Sequence, residues 1–314
     1  MKKPLVIITG PTSVGKTAIS IELCSRIGGS VISADSMQVY TGMDIGTAKI
    51  KPEEMAGIPH YLIDEYEPEH EFNVAEFKEK ACLYLKRIYN EGRIPVIVGG
   101  TGFYIQALLY DVDFTEARED KDFRQHLADI AASKGNVYLH DMLRRVDPDA
   151  ADAIHSNNVK RVIRALEYQH LTGELISEHN TAERAKESPY NFAYFVLNDD
   201  RKLLYAKIDK RIDIMIEQGL VDEVKALKER GLSRDCVSMK GLGYKEILAY
   251  LDGECSLEEA VYVLKRDTRH FAKRQLTWFR REEDVIWVDK SAFDHNESRI
   301  LDHMLEVLKE KGIG

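Results

Sequence analysis

The octapeptide Gly10-Pro11-Thr12-Ser13-Val14-Gly15-Lys16-Thr17 follows the apolar run Leu5-Val6-Ile7-Ile8 and precedes the helix-like Ala18-Ile19-Ser20-Ile21-Glu22-Leu23. A strand, a turn of the form GxxxxGK[ST] and a helix, in that order, make a phosphate-binding loop. No other feature of the chain constrains its fold as much. The glycines let backbone N–H groups converge on an anion at a helix N-terminus, Lys16 adds positive charge, and the Thr17 hydroxyl is placed to ligate Mg²⁺. Such loops sit at the carboxyl edge of a parallel sheet, so the rest of the chain must supply the other strands.

Val- and Ile-rich runs at residues 5 to 8, 31 to 34, 94 to 98, 192 to 197 and 285 to 288 meet that requirement, with His60-Tyr61-Leu62-Ile63-Asp64 as a further candidate. Residues 74 to 89 carry Phe77, Ala81, Leu85 and Ile88 at helical spacing. From about Thr115 to Lys186 the strand signal disappears into charged, alanine-rich, helix-period sequence. The expected architecture is therefore α/β: a P-loop NTPase-like parallel sheet flanked by helices, formed by residues 1–115 and 187–314, with an all-helical subdomain inserted at 116–186. A chain of 314 residues, 44% apolar and 31% charged, can bury such a core, while its formal net charge of -9 confines any nucleic-acid surface to a local basic patch. The four cysteines, Cys24, Cys82, Cys236 and Cys255, form neither a CxxC pair nor a disulfide framework, which points to a reducing cytoplasm. The N-terminal apolar run ends at Gly10, short of a signal-peptide core, and no stretch approaches the roughly 20 apolar residues that span a bilayer.

A phosphate loop by itself suggests nucleotide hydrolysis or phosphoryl transfer. NTPases usually carry an apolar strand ending in an acidic metal ligand. Here Pro95-Val96-Ile97-Val98 ends instead in Gly99-Gly100-Thr101-Gly102, and the acid, Asp35, follows Val31-Ile32-Ser33-Ala34. At a strand's carboxyl end beside the cradle, Asp35 is read as a metal ligand, a general base or a simple helix N-cap. The segment KRDTRHFAKRQLTWFRR, Lys265 to Arg281, sets seven Lys or Arg against one acid, with Phe271, Trp278 and Phe279 interleaved. It suits phosphate contacts with base stacking, or else a solvated helix face over core aromatics. Lys160, Arg161 and Arg164 form a second basic group at helical spacing within the insertion, placed to clasp RNA from another side.

GPTSVGKT, ADSMQVYTGMDIGTAK at residues 34 to 49 and VGGTGFYIQALL at residues 98 to 109 together resemble the bacterial tRNA dimethylallyltransferases, also called tRNA isopentenyltransferases. The likeness continues through Ile154-His155-Ser156-Asn157-Asn158-Val159-Lys160-Arg161, Met239-Lys240-Gly241-Leu242-Gly243-Tyr244 and Ala272-Lys273-Arg274-Gln275-Leu276-Thr277-Trp278, and covers nearly the whole chain. The resemblance implies that the loop grips dimethylallyl diphosphate and that the acceptor is the exocyclic amine of an adenine next to the tRNA anticodon. It implies Asp35 as base, Thr101 as a hydrogen-bonding partner near that amine, and Lys16 with Arg211 on the diphosphate. Asp35, Ser36, Met37 and Gln38, then Lys160, Arg161 and Arg164, then Lys240, Gly241, Gly243 and Tyr244, and finally Lys273, Arg274, Gln275 and Trp278, correspond to tRNA-binding positions. The partners implied are the tRNA anticodon stem-loop and dimethylallyl diphosphate, the cofactor Mg²⁺ on Thr17, and the state a cytoplasmic monomer without membrane contact, with ATP a further candidate for the loop. Two alternatives stay open at this level: a P-loop nucleoside or nucleotide kinase, and a P-loop RNA-binding protein without catalysis.

Overall fold

Six strands form one parallel sheet in the computed structural model, whose described residues are 2–112, 120–184 and 186–313. β1 (Lys3–Thr9) leads through the phosphate loop to α1 (Lys16–Ile27) and β2 (Gly29–Ser33). The two-residue β3 (His60–Tyr61) precedes α2 (Val74–Asn90), β4 (Ile94–Val98) and α3 (Gly102–Leu109). Five helices follow: α4 (Lys121–Lys134), α5 (Asn136–Val146), α6 (Pro148–Ala153), α7 (Val159–Thr172) and α8 (Ile176–Arg184). The chain returns to the sheet as β5 (Tyr190–Asn198), runs through α9 (Arg201–Glu217), α10 (Leu220–Glu229), α11 (Tyr244–Leu251) and α12 (Leu257–Phe279), and ends with β6 (Val285–Asp289) and α13 (Glu297–Glu310).

The strand order is β3-β2-β4-β1-β5-β6, with every neighbouring pair parallel. Leu5 to Ile8, Val31 and Ile32, Val96 and Ile97, and Ala193 to Leu197 are buried. Strands covered by helices on both faces need continuous rather than alternating apolar sequence, which is why these runs were recognisable. The candidate strand at 60 to 64 is shorter than expected: Leu62 and Asp64 adopt φ of 62° and 54°, and the left-handed backbone leaves the sheet after Tyr61. α2 begins at the cap Asn73, whose side chain accepts from the N–H groups of Ala75 and Glu76, and buries Phe77, Ala81, Leu85 and Ile88.

Hydrogen bonds beyond the regular ladder stitch the carboxyl ends of β1, β2 and β4 together. Thr9 Oγ1 donates to Gly99 O (2.7 Å), Gly99 N to Ile8 O (3.3 Å), Ala34 N to Val98 O (2.8 Å) and Thr101 N to Ala34 O (3.2 Å). The phosphate loop, Asp35 and Thr101 therefore emerge from adjacent strand ends.

The chain divides into two compact units, one made of the chain up to Leu108 together with the part from Pro189 on, the other Leu109–Ser188. The second unit is helical in its described part, with Leu127, Leu139, Leu143, Val162 and Ala165 in its core. At its centre Glu167 is a fully buried carboxylate held by Arg124 (Nε to Oε1, 2.7 Å), Arg164 (Nη1 to Oε2, 2.7 Å) and the N–H of Asp120 (3.0 Å). Burial opposes ionisation of Glu167, but the two guanidinium groups and the N–H outweigh it and hold the carboxyl below its ordinary range. The Arg164 guanidinium, expected on RNA, is thus engaged by the unit's own carboxylate, whereas Lys160 and Arg161 on the same helix are exposed.

Glu167→Ala is expected to destabilise this unit by roughly 2–3 kcal/mol, less than the ~3–5 of a fully buried pair, because the arginines keep 35% and 33% of their side-chain surface and rehydrate. Denaturant unfolding measures the loss. Since the folded carboxyl titrates below its ordinary value, the stabilisation is present above that value, and the gap between variant and parent narrows as pH falls through it.

Candidate active site

Gly15, at φ 96°, caps α1 without a side-chain partner, so the first N–H groups of the helix face the loop. Ser13, at φ 64°, carries a buried hydroxyl with no partner among the described residues. Lys16 Nζ folds back onto the loop's own carbonyls, Gly10 O at 3.1 Å and Pro11 O at 2.9 Å. Burial lowers the Lys16 pKa to about 8; Asp35 works against that shift and Arg211 adds to it. A desolvated ammonium, an orphaned hydroxyl and free helix N–H groups are what an oxyanion satisfies together.

Asp35 Oδ1 accepts the N–H of Met37 (2.9 Å), a local turn bond that fixes the carboxylate, while Oδ2 has no hydrogen bond to a described residue. The residues after Asp35 form bends and turns rather than a helix, so the helix N-cap reading does not hold. Arg211, on α9, forms no ion pair or hydrogen bond with a described residue; burial lowers its pKa and Asp35 opposes that. Thr101 opens α3, its carbonyl accepting from Tyr104 N and Ile105 N. Lys16, Asp35, Thr101 and Arg211 line one cavity of about 470 Å³, whose apolar wall includes Ile208, Ile212, Met215, Leu264 and Phe271. The space suits a short hydrocarbon joined to a polyanion.

A family model described as IPP transferase matches residues 38–282. A tRNA dimethylallyltransferase of Lachnoclostridium phytofermentans is 61% identical over 311 residues, 99% of each chain. The chain belongs to the tRNA dimethylallyltransferase family. Its relative of that name in Acetivibrio thermocellus is 51% identical over 94% of this chain and 95% of its own. Among solved structures, the full-length tRNA isopentenylpyrophosphate transferase of Bacillus halodurans is 47% identical, covering 99% of this chain and 98% of its own, with a TM-score of 0.74. A eukaryotic dimethylallyltransferase acting on tRNA is 30% identical over 95% of this chain and 77% of its own, with a TM-score of 0.80. Membership favours prenyl transfer over the kinase alternative.

Within this family member, Ser36, Met37, Lys240, Gly241, Gly243 and Arg274 line the same cavity, and a Cβ on Gly241 would lie 2.5 Å from Met37 Cε. Three expected RNA contacts are placed otherwise. Tyr244 touches the cavity but is fully buried, its hydroxyl donating to Glu223 Oε1 (2.7 Å), because its ring is packed against Gly46. Gln38 Nε2 donates to Thr47 O (3.3 Å) and its Oε1 accepts from Ser33 (3.4 Å), so its amide is engaged by the fold; it lines a separate cavity of about 30 Å³. Gln275 is 6% exposed and faces inward, Oε1 accepting from Thr12 N (2.9 Å) and Nε2 donating to Gly100 O (3.0 Å). Thr17, the expected metal ligand, lines the small cavity with Gln38, one residue further round α1 than Lys16. Lys273 is exposed, and Trp278 meets Phe103 edge-on across Gly102 with its buried Nε1 unpartnered among the described residues.

One residue that positions the site was not singled out in the sequence. Glu223, on α10, accepts from the consecutive N–H groups of Asp44, Ile45 and Gly46 and from Tyr244, tying the wall at Gly46 and Thr47 to α11. Nothing in its helical surroundings marks it. The inward role of Gln275 did leave a signal, since it falls three residues after Ala272 and four before Phe279, on the apolar face of α12.

Lys16 generates a pH prediction. Diphosphate restores full charge to a lysine that titrates near 8 in the free loop, so binding takes up a proton between about pH 8 and the ordinary value of 10.5, and none through Lys16 below that window. Affinity for inorganic diphosphate is expected to fall as pH rises through the window. Calorimetry in buffers of different ionisation heat reads the proton uptake, and Lys16→Met should remove it.

Proposed function

We propose that the protein transfers a dimethylallyl group from dimethylallyl diphosphate to the exocyclic N6 amine of an adenine adjacent to the anticodon of tRNA, releasing diphosphate. The observation that carries this reading is a single cavity shared by the phosphate loop, Asp35, Thr101 and an apolar wall. The bond broken joins the allylic carbon to diphosphate oxygen, and the bond formed joins that carbon to the amine nitrogen. Lys16, Arg211 and the loop N–H groups stabilise the charge left on diphosphate. The N6 lone pair is delocalised into the ring, so Asp35 accepts the amine proton as the new bond forms, with the Thr101 hydroxyl orienting the nitrogen. Thr17, at the start of α1, would be the residue to hold a Mg²⁺, which would supply further charge neutralisation. The cradle recognises phosphates, so ATP is a competitor for the loop rather than a substrate.

The target base must leave its stack to reach Asp35. On α12, Lys265, Arg266 and Arg269 are ion-paired with Asp213, Asp267 and Asp209. Lys273, Arg274, Arg280 and Arg281 pair with no carboxylate among the described residues. RNA contact on this helix therefore concentrates in its C-terminal half and just beyond, next to Trp278, with Lys160 and Arg161 as the second basic site. No helix among the described residues is long and apolar enough to cross a membrane. A cytoplasmic monomer is part of the same proposal.

Mass gain on a defined anticodon stem-loop incubated with dimethylallyl diphosphate tests the reaction, and ATP consumption with nucleosides in its place would refute it. Asp35→Ala should lower single-turnover rate roughly a hundredfold or more with tRNA binding nearly intact; a near-normal rate removes Asp35 from the role of base. Lys273→Ala with Arg274→Ala should flatten the dependence of log affinity for tRNA on log salt by about one to two units, at ~0.7–0.9 per phosphate contact. Unaltered affinity and slope in the folded variant would move the RNA surface to Lys160 and Arg161.

A further inference from the structure

We propose that Gln275 is a positioning residue that couples the seating of RNA to the seating of diphosphate; the inference rests on the reading that α12 contacts RNA and the phosphate loop holds diphosphate. One amide spans two parts of the site. Its Oε1 accepts the N–H of Thr12, in the phosphate loop, and its Nε2 donates to the carbonyl of Gly100, in the turn that presents Thr101. The orientation of the amide is dictated by its partners, since the reverse placement would set donor against donor and acceptor against acceptor. The fit is close on the Gly100 side, where an added Cβ would lie 2.2 Å from Nε2.

Gln275 belongs to the helix that carries the free cations. Arg274 is its immediate neighbour, with the guanidinium carbon 5.8 Å from the centre of the Phe271 ring, and both Arg274 and Phe271 reach the cavity. RNA phosphates bound by Lys273 and Arg274 hold α12 in place, and a hydrogen-bonded amide cannot follow a shift of that helix without moving Thr12 or Gly100. Seating RNA thereby narrows the arrangements open to the phosphate loop and to Thr101. By linkage, an anion ordering the loop favours the same position of α12 by the same factor. The distance between the phosphate loop and the turn that presents Thr101 is thus set by one amide bonded to both.

The test measures affinity for inorganic diphosphate with and without a saturating anticodon stem-loop, in the parent protein, Gln275→Ala, Gly100→Ala and the double variant. Gly100→Ala drives the amide away from the turn without altering α12, so it makes the same lesion from the other side. In the parent, the stem-loop should tighten diphosphate binding by about fivefold or more, within the usual range of coupling between sites. Each single variant should bring that factor close to one, and the double variant should do no more than either single, because one link is broken only once. In turnover, kcat should fall by a larger factor than KM for the prenyl donor changes. Thermal melting identifies a variant that has merely lost its fold, in which case the other single variant still decides. A parent coupling factor near one, a factor unchanged in both folded single variants, or losses that multiply in the double variant would overturn the role of Gln275 while leaving the prenyl-transfer reading in place. Failure of the parent to bind the stem-loop at all would remove the RNA reading, and the inference with it.

Discussion

The site depends on how three parallel strands end. Beyond the ladder, backbone groups of β1, β2 and β4 still need partners, and they find them in one another: Gly99 N on Ile8 O, Ala34 N on Val98 O, Thr101 N on Ala34 O, with the Thr9 hydroxyl closing on Gly99 O. Buried backbone groups left unpaired are costly, so this arrangement is held firmly. It places a phosphate cradle, a carboxylate and a threonine side by side although they lie far apart in sequence. Preorganisation of this kind is what a reaction needs when most of its barrier is charge separation.

The electrostatics of the cavity are unbalanced without an anion. Lys16 and Arg211 are both desolvated, both disfavoured as cations by that burial, and offset only by Asp35. Lys16 and Arg211 against Asp35, beside a buried Ser13 hydroxyl without a partner among the described residues, leave a positive site that suits an anion.

α12 shows how an acidic protein presents a basic surface. Its cations up to Arg269 are neutralised by Asp213, Asp267 and Asp209, and those from Lys273 on pair with no carboxylate among the described residues. The inward face of the same helix reaches the phosphate loop through Gln275 and the cavity wall through Leu264 and Phe271. One helix thus carries both exposed cations and part of the cavity wall, with Arg274 belonging to both.

Much of this was legible before the structure. Continuous apolar runs marked the parallel strands because both faces are covered, GPTSVGKT marked the cradle because its glycines and lysine gather backbone N–H groups and a cation at a helix N-terminus, and the motif around Asp35 marked the family. These signals are local, carried by residues near one another in the chain. What the sequence left undecided concerns residues whose partners are distant. Tyr244 and Gln38 look like recognition residues within their motifs, yet one donates to Glu223 and the other is held by Ser33 and Thr47. Arg164 looks like a free cation until Glu167 is seen beneath it. Glu223 looks like any helix glutamate until the chain folds back and offers it three N–H groups. Which polar atoms remain for substrate depends on which have already been satisfied, and hydrogen-bond satisfaction between remote segments is settled only by tertiary packing.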